Sequence, residues 1–333
     1  MKKRVIIALS AGAVIIILVL SSYRYYDSYS SENSLRVKNR SMPKDIIELN
    51  LENTVRKLAG DIGSRGYLQK HALDESIDYI TTEFKSYGYD TYFQNYAVNG
   101  RDYKNIWVEK KGKGIPEKIL VIGAHYDTVT GTPGADDNAS GVAGLLELAR
   151  ILIHEPVDKT VHFVAFTLEE PPFFRSRSMG SYVYAKGLKA KGADVEGMIC
   201  LESIGYFHDE PGSQQFPLPF FSFFYPDTGN FITFVSDIRS REFLESAKKY
   251  FTIGTELPLE SLSTLWIVPG VDLSDHRSFW KFGYKAIMVT DTALYRNPHY
   301  HGPDDSPDTL DYARMAEVVM GLRTTISGLA DQF

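Results

Sequence analysis

The sequence predicts an α/β fold with a mainly parallel, mixed central sheet flanked by helices on both faces. Three observations lead there. Short apolar runs of strand length alternate with amphipathic stretches of helix length, the pattern of a parallel sheet with helical crossovers. Several runs are apolar at every position, which is how a strand reads when both of its faces are covered. The chain also has 333 residues, 44% hydrophobic and 23% charged, enough for one large core.

The elements follow in order. Residues Asp45 to Ala59 have helical periodicity, and a second helix is expected from Leu68 to Tyr87. Its stripe is Leu73, Ile77, Ile80, Phe84 and Tyr87, with Gly88 as the stop. Strands are expected at Thr91–Val98, Asn105–Glu109, Lys118–Ala124, Val161–Leu168, Gly197–Glu202 and Lys285–Thr290. Helices are expected at Ala139–Ile153, Gly180–Lys189, Arg241–Tyr250 and Asp311–Leu329. The stretch 206–235 is dense in Phe, Pro and Gly without periodicity and reads as a loop-rich insertion; its aromatic residues wall a pocket or pack the insertion itself.

The N-terminus carries an address. Lys2, Lys3 and Arg4 precede an uncharged run from Val5 to Tyr23. At 1.5 Å per residue that run spans roughly 28 Å, about one bilayer core. Residues 1–23 are expected to be a membrane anchor or uncleaved signal, with the rest of the chain extracytoplasmic because the basic end stays inside. The alternative is secretion after cleavage near Val19-Leu20-Ser21. Residues 24–42, polar and rich in Ser and Tyr, read as a tether, and the folded domain is expected over 43–333. A net charge of −6 and a pI near 5.8 argue against a nucleic-acid partner. The single cysteine, Cys200, excludes an intrachain disulfide and sits in an apolar run as a small buried residue.

One pattern carries chemistry: the apolar runs end in residues able to bind metal. ILVIGA ends at His125, followed by Tyr126 and Asp127; VHFVAFTL ends at Glu169 and Glu170; GMICL ends at Glu202. Open α/β sheets bind ligands at the carboxyl ends of their strands, so these groups should gather at one edge. Two loop-borne pieces join them, Gly134–Gly141 with Asp136 and Asp137, and Asn297–His301 with His299 and His301. Imidazole and carboxylate are the donors zinc takes when sulfur is absent. Asp127 is placed to receive the second ring proton of a ligating His125.

At this point the sequence resembles the co-catalytic zinc exopeptidases of metallopeptidase family 28. That family includes bacterial leucyl aminopeptidases, aminopeptidase Y and the glutamate carboxypeptidase II group. The matching stretches are GAHYDTV (123–129), GADDNASG (134–141), Glu169-Glu170, LESIGY (201–206), SDHRSFW (274–280), NPHYH (297–301) and LAGDIGSRGY (58–67). The resemblance covers roughly residues 50–330 and implies the phosphorylase/hydrolase-like zinc exopeptidase fold.

It further implies two Zn2+ ions per chain and peptide substrates cleaved at the N-terminus. His125 and Glu202 would bind one ion, Glu170 and His301 the other, and Asp137 would bridge them. Glu169 would be the general base, Asp127 the partner of His125, and the Asp137–Asn138 peptide cis. Two departures stand out: Glu202 occupies a position where the family commonly has Asp, and Pro171-Pro172 replaces a glycine-rich turn.

Rival readings are a single-zinc glutaminyl-peptide cyclotransferase-like enzyme, a non-catalytic interaction module and a carboxypeptidase. For the last, Arg175 and Arg177 are the nearest candidates to hold a C-terminal carboxylate. His276 reads equally as a pocket or a structural residue, and His299 competes with His301 as a ligand. His71, His154, His162 and His208 read as surface or core residues.

Overall fold

The computed structural model describes residues 43–331. The anchor and tether expected over 1–42 lie outside the described residues. Among the described residues no helix is long and apolar enough to cross a membrane.

Eight strands form one mixed sheet: β1 (Thr91–Val98), β2 (Arg101–Lys110), β3 (Ile115–His125), β4 (Lys159–Phe166), β5 (Asp194–Leu201), β6 (Ile232–Asp237), β7 (Leu259–Thr264) and β8 (Ala286–Thr290). Their order across the sheet is β1-β2-β4-β3-β5-β8-β6-β7. The central four, β4, β3, β5 and β8, run parallel, while β2 and β6 pair antiparallel on either side of them. Helices α1 (Lys44–Val55), α2 (Lys70–Ser86), α3 (Gly141–Leu152), α4 (Gly180–Ala190), α5 (Arg241–Gly254), α6 (His276–Lys281) and α7 (Tyr312–Ala330) complete the domain.

The alternation of strand residues explains the continuous apolar runs. Leu120 and Ile122 of β3, Phe163 of β4 and Ile199 of β5 pack into one core with α1, α2, α3, α5 and α7. Their neighbours Val121, Val164 and Met198 point the other way, into a second core with Tyr184 and Leu188 of α4 and Phe279 of α6. With both faces covered, these strands are mostly apolar, and buried His162 of β4 is accommodated by its hydrogen bond with Tyr184. Helix α2 buries Leu73, Ile77, Ile80 and Phe84 as its stripe predicts. Gly88, at φ 96, ends it, with the Tyr89 N–H reaching back to the Phe84 carbonyl.

Three elements were not visible in the sequence. Strand β6 lies partly inside the stretch 206–235, so the sheet begins before that loop-rich segment was expected to end. All six of its residues are buried, but the Phe-rich loop before it hides the boundary. Strand β7 is a half-buried edge strand of mixed polarity, and α6 is too short to show a period. The rest of the stretch is loops and turns around a short 3-10 helix at Pro219–Phe223. The first helix also runs on through a wider turn over Arg56–Ile62, past Ala59.

Candidate metal centre

Strands β4, β3 and β5 are neighbours, so their carboxyl ends lie side by side. His125 is the last residue of β3, Glu169 and Glu170 follow β4, and Glu202 follows β5. The Gly134–Gly141 turn that opens α3 brings in Asp137, and the segment after the 293–295 turn brings in His301.

The two loops need tight approaches. Gly134, at φ 63, would set a Cβ 2.5 Å from the Asp137 carbonyl oxygen, and a Cβ on Gly141 would lie 2.6 Å from that of Leu201. Only glycine fits either place. The Asp137–Asn138 peptide is cis, as is Pro171–Pro172.

Asp137 is the centre of the arrangement. Its Oδ1 lies 3.3 Å from His125 Nε2, which is itself 3.2 Å from Glu202 Oε2. Its Oδ2 lies 3.0 Å from His301 Nε2, which is 3.4 Å from Glu170 Oε2. Two triads of potential ligands therefore share one carboxylate: His125, Asp137 and Glu202, and Asp137, Glu170 and His301, with ligand atoms within 4.8 Å of one another in each.

Supporting groups fix these side chains. The Asp127 carboxylate accepts the backbone N–H groups of Glu169 (3.1 Å) and Glu170 (3.2 Å), so it orients both glutamates. His125 Nδ1 lies 3.1 Å from the Asp127 main-chain carbonyl and 3.6 Å from its carboxylate. Asp305 accepts the N–H groups of Asp136 and Asp137. Asn138 Oδ1 accepts from Gly141 and Ser203, and its amide donates to the Leu201 carbonyl. This joins the Asp137 turn to the end of β5. Glu202 accepts from Ser274 Oγ (2.6 Å) and Ser203 Oγ (3.1 Å). Beneath them the buried Arg65 guanidinium donates to the carbonyls of Leu58, Gly63, Tyr126, Pro133 and Gly134.

Sequence reasoning missed Asp305, Asn138, Ser274 and Arg65 as individuals. Ser274, Asn138 and Arg65 lay inside quoted motifs, but nothing in a motif says which member hydrogen-bonds to the site.

The donor set fits zinc. It is nitrogen and carboxylate oxygen without sulfur. His125 Nε2, Glu169 Oε1 and Glu170 Oε1 are buried without a hydrogen-bond partner, which is costly unless a cation completes them. The electrostatics of the site carry the same excess of negative charge. Burial works against a charged His125, but the Glu202, Asp127 and Asp137 carboxylates prevail and hold its pKa well above that of free imidazole. His301, opposed by burial and favoured by Asp137 and Glu170, is pushed up to about 10. Burial, with the Asp137 charge, pushes Glu170 up to about 8. Burial also raises Glu169 well above the carboxylate range.

The sequence model of peptidase family M28 matches residues 105–326, two thirds of the chain, from within β2 to within α7. The chain belongs to peptidase family M28.

Among its relatives, YfbL of Escherichia coli strain K12, itself uncharacterised, is 43% identical over 295 residues, 86% of this chain and 90% of that protein. A probable leucine aminopeptidase of Arthroderma otae is 29% identical over 61% of this chain; the chain spans about half of that protein, 52%. The M28 fold is shared with a solved zinc aminopeptidase of Bacillus subtilis, at a TM-score of 0.68 and 16% identity, covering 86% of this chain and 95% of the other. Solved bacterial glutaminyl cyclases have the same fold.

Beside this candidate centre opens a cleft bordered by Glu202 and Tyr300 and walled by Phe216, Phe221, Tyr225 and Phe231. The aromatic residues of 206–235 thus form a pocket wall. His276 lies in the core, its Nε2 2.8 Å from the Val271 carbonyl and its ring edge-on to Trp280, and burial holds it down to about 4. It belongs to neither ligand triad, nor does His299. His162 is a buried core residue hydrogen-bonded to Tyr184, and His71 is exposed on α2.

Proposed function

We propose that the chain is a two-zinc aminopeptidase that releases N-terminal residues from peptides. The observation that carries this reading is Asp137, whose two oxygens each face a different histidine with a further carboxylate beside it. His125, Asp137 and Glu202 would hold one zinc, and Asp137, Glu170 and His301 the other. Such a pair, when bound, supplies Lewis acidity to the scissile carbonyl and acidity to the attacking water.

Glu169 acts as general base. Its amide is fixed on Asp127 and its Oε1 is without a hydrogen-bond partner. The charge of a bound metal pair would offset the burial that raises its pKa and leave the carboxylate able to take a proton from the attacking water. Oxygen adds to the carbonyl carbon, the C–N bond breaks, and the proton passes from Glu169 to the leaving amine. Asp127 keeps the Glu169–Glu170 backbone in place throughout.

The surplus of carboxylates favours a free α-amine over a C-terminal carboxylate. Arg175, the nearest candidate for a carboxypeptidase, is already ion-paired with Asp272. The fold alone does not separate a peptidase from a cyclase, but a complete second ligand triad supports two-metal hydrolysis. The basic start and apolar run Val5–Tyr23 support an extracytoplasmic catalytic domain.

The test is cleavage of aminoacyl p-nitroanilides and short peptides by the zinc-loaded chain, with and without chelator. Glu169→Gln should retain zinc and lose activity by at least ~10²-fold. Near-normal turnover in that variant would overturn the assignment.

A further inference from the structure

The floor of the cleft is one face of the sheet, and its register places charge at both ends. On β6, Thr233 pairs with Glu260 of β7 on one side and with Thr290 of β8 on the other. Glu202 directly follows Leu201, the β5 partner of Val289, and so continues the same row beside Thr290. The row therefore reads Glu202, Thr290, Thr233, Glu260, and all four residues line the cleft. Three strand spacings of about 4.8 Å put its ends roughly 14 Å apart. The next row on that face, Met288, Val235 and Leu262, is apolar and lines the same cleft.

Glu202 belongs to the metal centre, whereas Glu260 does not. Glu260 is half-buried on edge strand β7 and lines the cleft beside the aromatic wall, and its carboxylate makes no hydrogen bond or close ion pair among the described residues. Tyr225 anchors that wall by donating its hydroxyl to the carbonyl of Ser261, the residue after Glu260. Next to it along the row, the hydroxyl of Thr233 is buried without a partner. Burial raises the pKa of Glu260, and Lys248 on α5 offsets part of the rise. An apolar trough with a half-buried carboxylate and an unpartnered hydroxyl at its far end is shaped for a long aliphatic stem carrying a cation.

We propose that Glu260 sets the specificity of the cleft, selecting peptides whose N-terminal residue is lysine or arginine. The inference rests on the aminopeptidase reading. With the reacting carbonyl at the metals, a leucine side chain stays in the apolar part of the trough. The four-carbon stem of lysine carries its ammonium onward to Glu260 and Thr233. A charge-assisted hydrogen bond made there, in a partly dry site, discriminates strongly against an uncharged side chain of the same length.

The experiment compares lysine with norleucine, which has the same stem without the ammonium. Two readouts are taken on the zinc-loaded full chain: kcat/KM for the lysyl and norleucyl p-nitroanilides, and binding of free L-lysine and L-norleucine. The expected preference for lysine is about tenfold or more in both. In Glu260→Gln that ratio should fall by about tenfold, and in Glu260→Lys it should invert. Equal handling of lysine and norleucine by the wild-type chain overturns the proposal without needing any variant, as does a ratio unmoved by Glu260→Gln. If no anilide is cleaved, the aminopeptidase reading fails, and the binding ratio still decides whether Glu260 selects a cation.

Discussion

Asp305 holds Asp137 from behind, its Oδ2 accepting the Asp137 backbone N–H at 3.2 Å while its Oδ1 accepts that of Asp136 at 2.9 Å. The carboxylate shared by the two candidate triads is thereby presented by a turn whose amides are fixed from a different loop, four residues beyond His301. One segment thus supplies a proposed ligand and also steadies the shared one.

Removing that brace should weaken metal binding without unfolding the chain. Asp305→Ala is expected to lose about 10–100-fold in zinc affinity, the usual effect of losing a group that orients a ligand. Competition with a chromophoric chelator measures it, with circular dichroism as the control for fold. Unchanged affinity would show that the Asp137 turn holds itself.

Arg65 should be a stability residue of unusual weight. Its guanidinium satisfies five carbonyls from three segments in a place closed to water, and burial holds its pKa down to about 10, so it remains charged at neutral pH. Lysine has three donors in a different geometry. Arg65→Lys would leave at least two carbonyls unpaired, at about 1–3 kcal/mol each. Urea denaturation should therefore show a loss of about 3 kcal/mol, and a loss below about 1 kcal/mol would mean the carbonyls find other donors.

Zinc binding should release protons. In the metal-free protein at pH 7, His301 (pushed up to about 10) and Glu170 (pushed up to about 8) both carry a proton. Both must lose it to ligate. Affinity should therefore rise with pH from 7 towards 10 and fall as the solution is acidified. Calorimetry at pH 7 in buffers of different ionisation enthalpy should report at least one proton released per chain. A buffer-independent heat would contradict the charge state argued for the site.

The legibility of this protein in its sequence follows burial and spacing. Strands β3, β4, β5 and β8 were readable because both faces are covered, which forces uninterrupted apolar runs, and those same runs end at His125, Glu169 and Glu202. Strand β7 was not, because an edge strand with Glu260 and Ser263 among its residues has no such constraint. The proposed ligands were readable because each lies at a strand end or in a motif. Asp305 and Ser274 were not, since a hydrogen bond between residues far apart in the chain leaves no local pattern.

Glu202 shows what geometry adds to a motif. The sequence marks it only as a glutamate where aspartate is usual. In the fold its Oε2 lies 3.2 Å from His125 Nε2 and accepts the Ser274 hydroxyl, so the longer side chain still reaches the metal centre.

The most direct test of the account is the zinc content of the purified, zinc-saturated chain, compared with that of Glu202→Ala, Glu170→Ala and Asp137→Ala by native mass spectrometry. The account predicts two ions in the wild type, one in each glutamate variant, and a loss at both sites when the shared Asp137 is removed. A wild type that saturates at a single ion would contradict it.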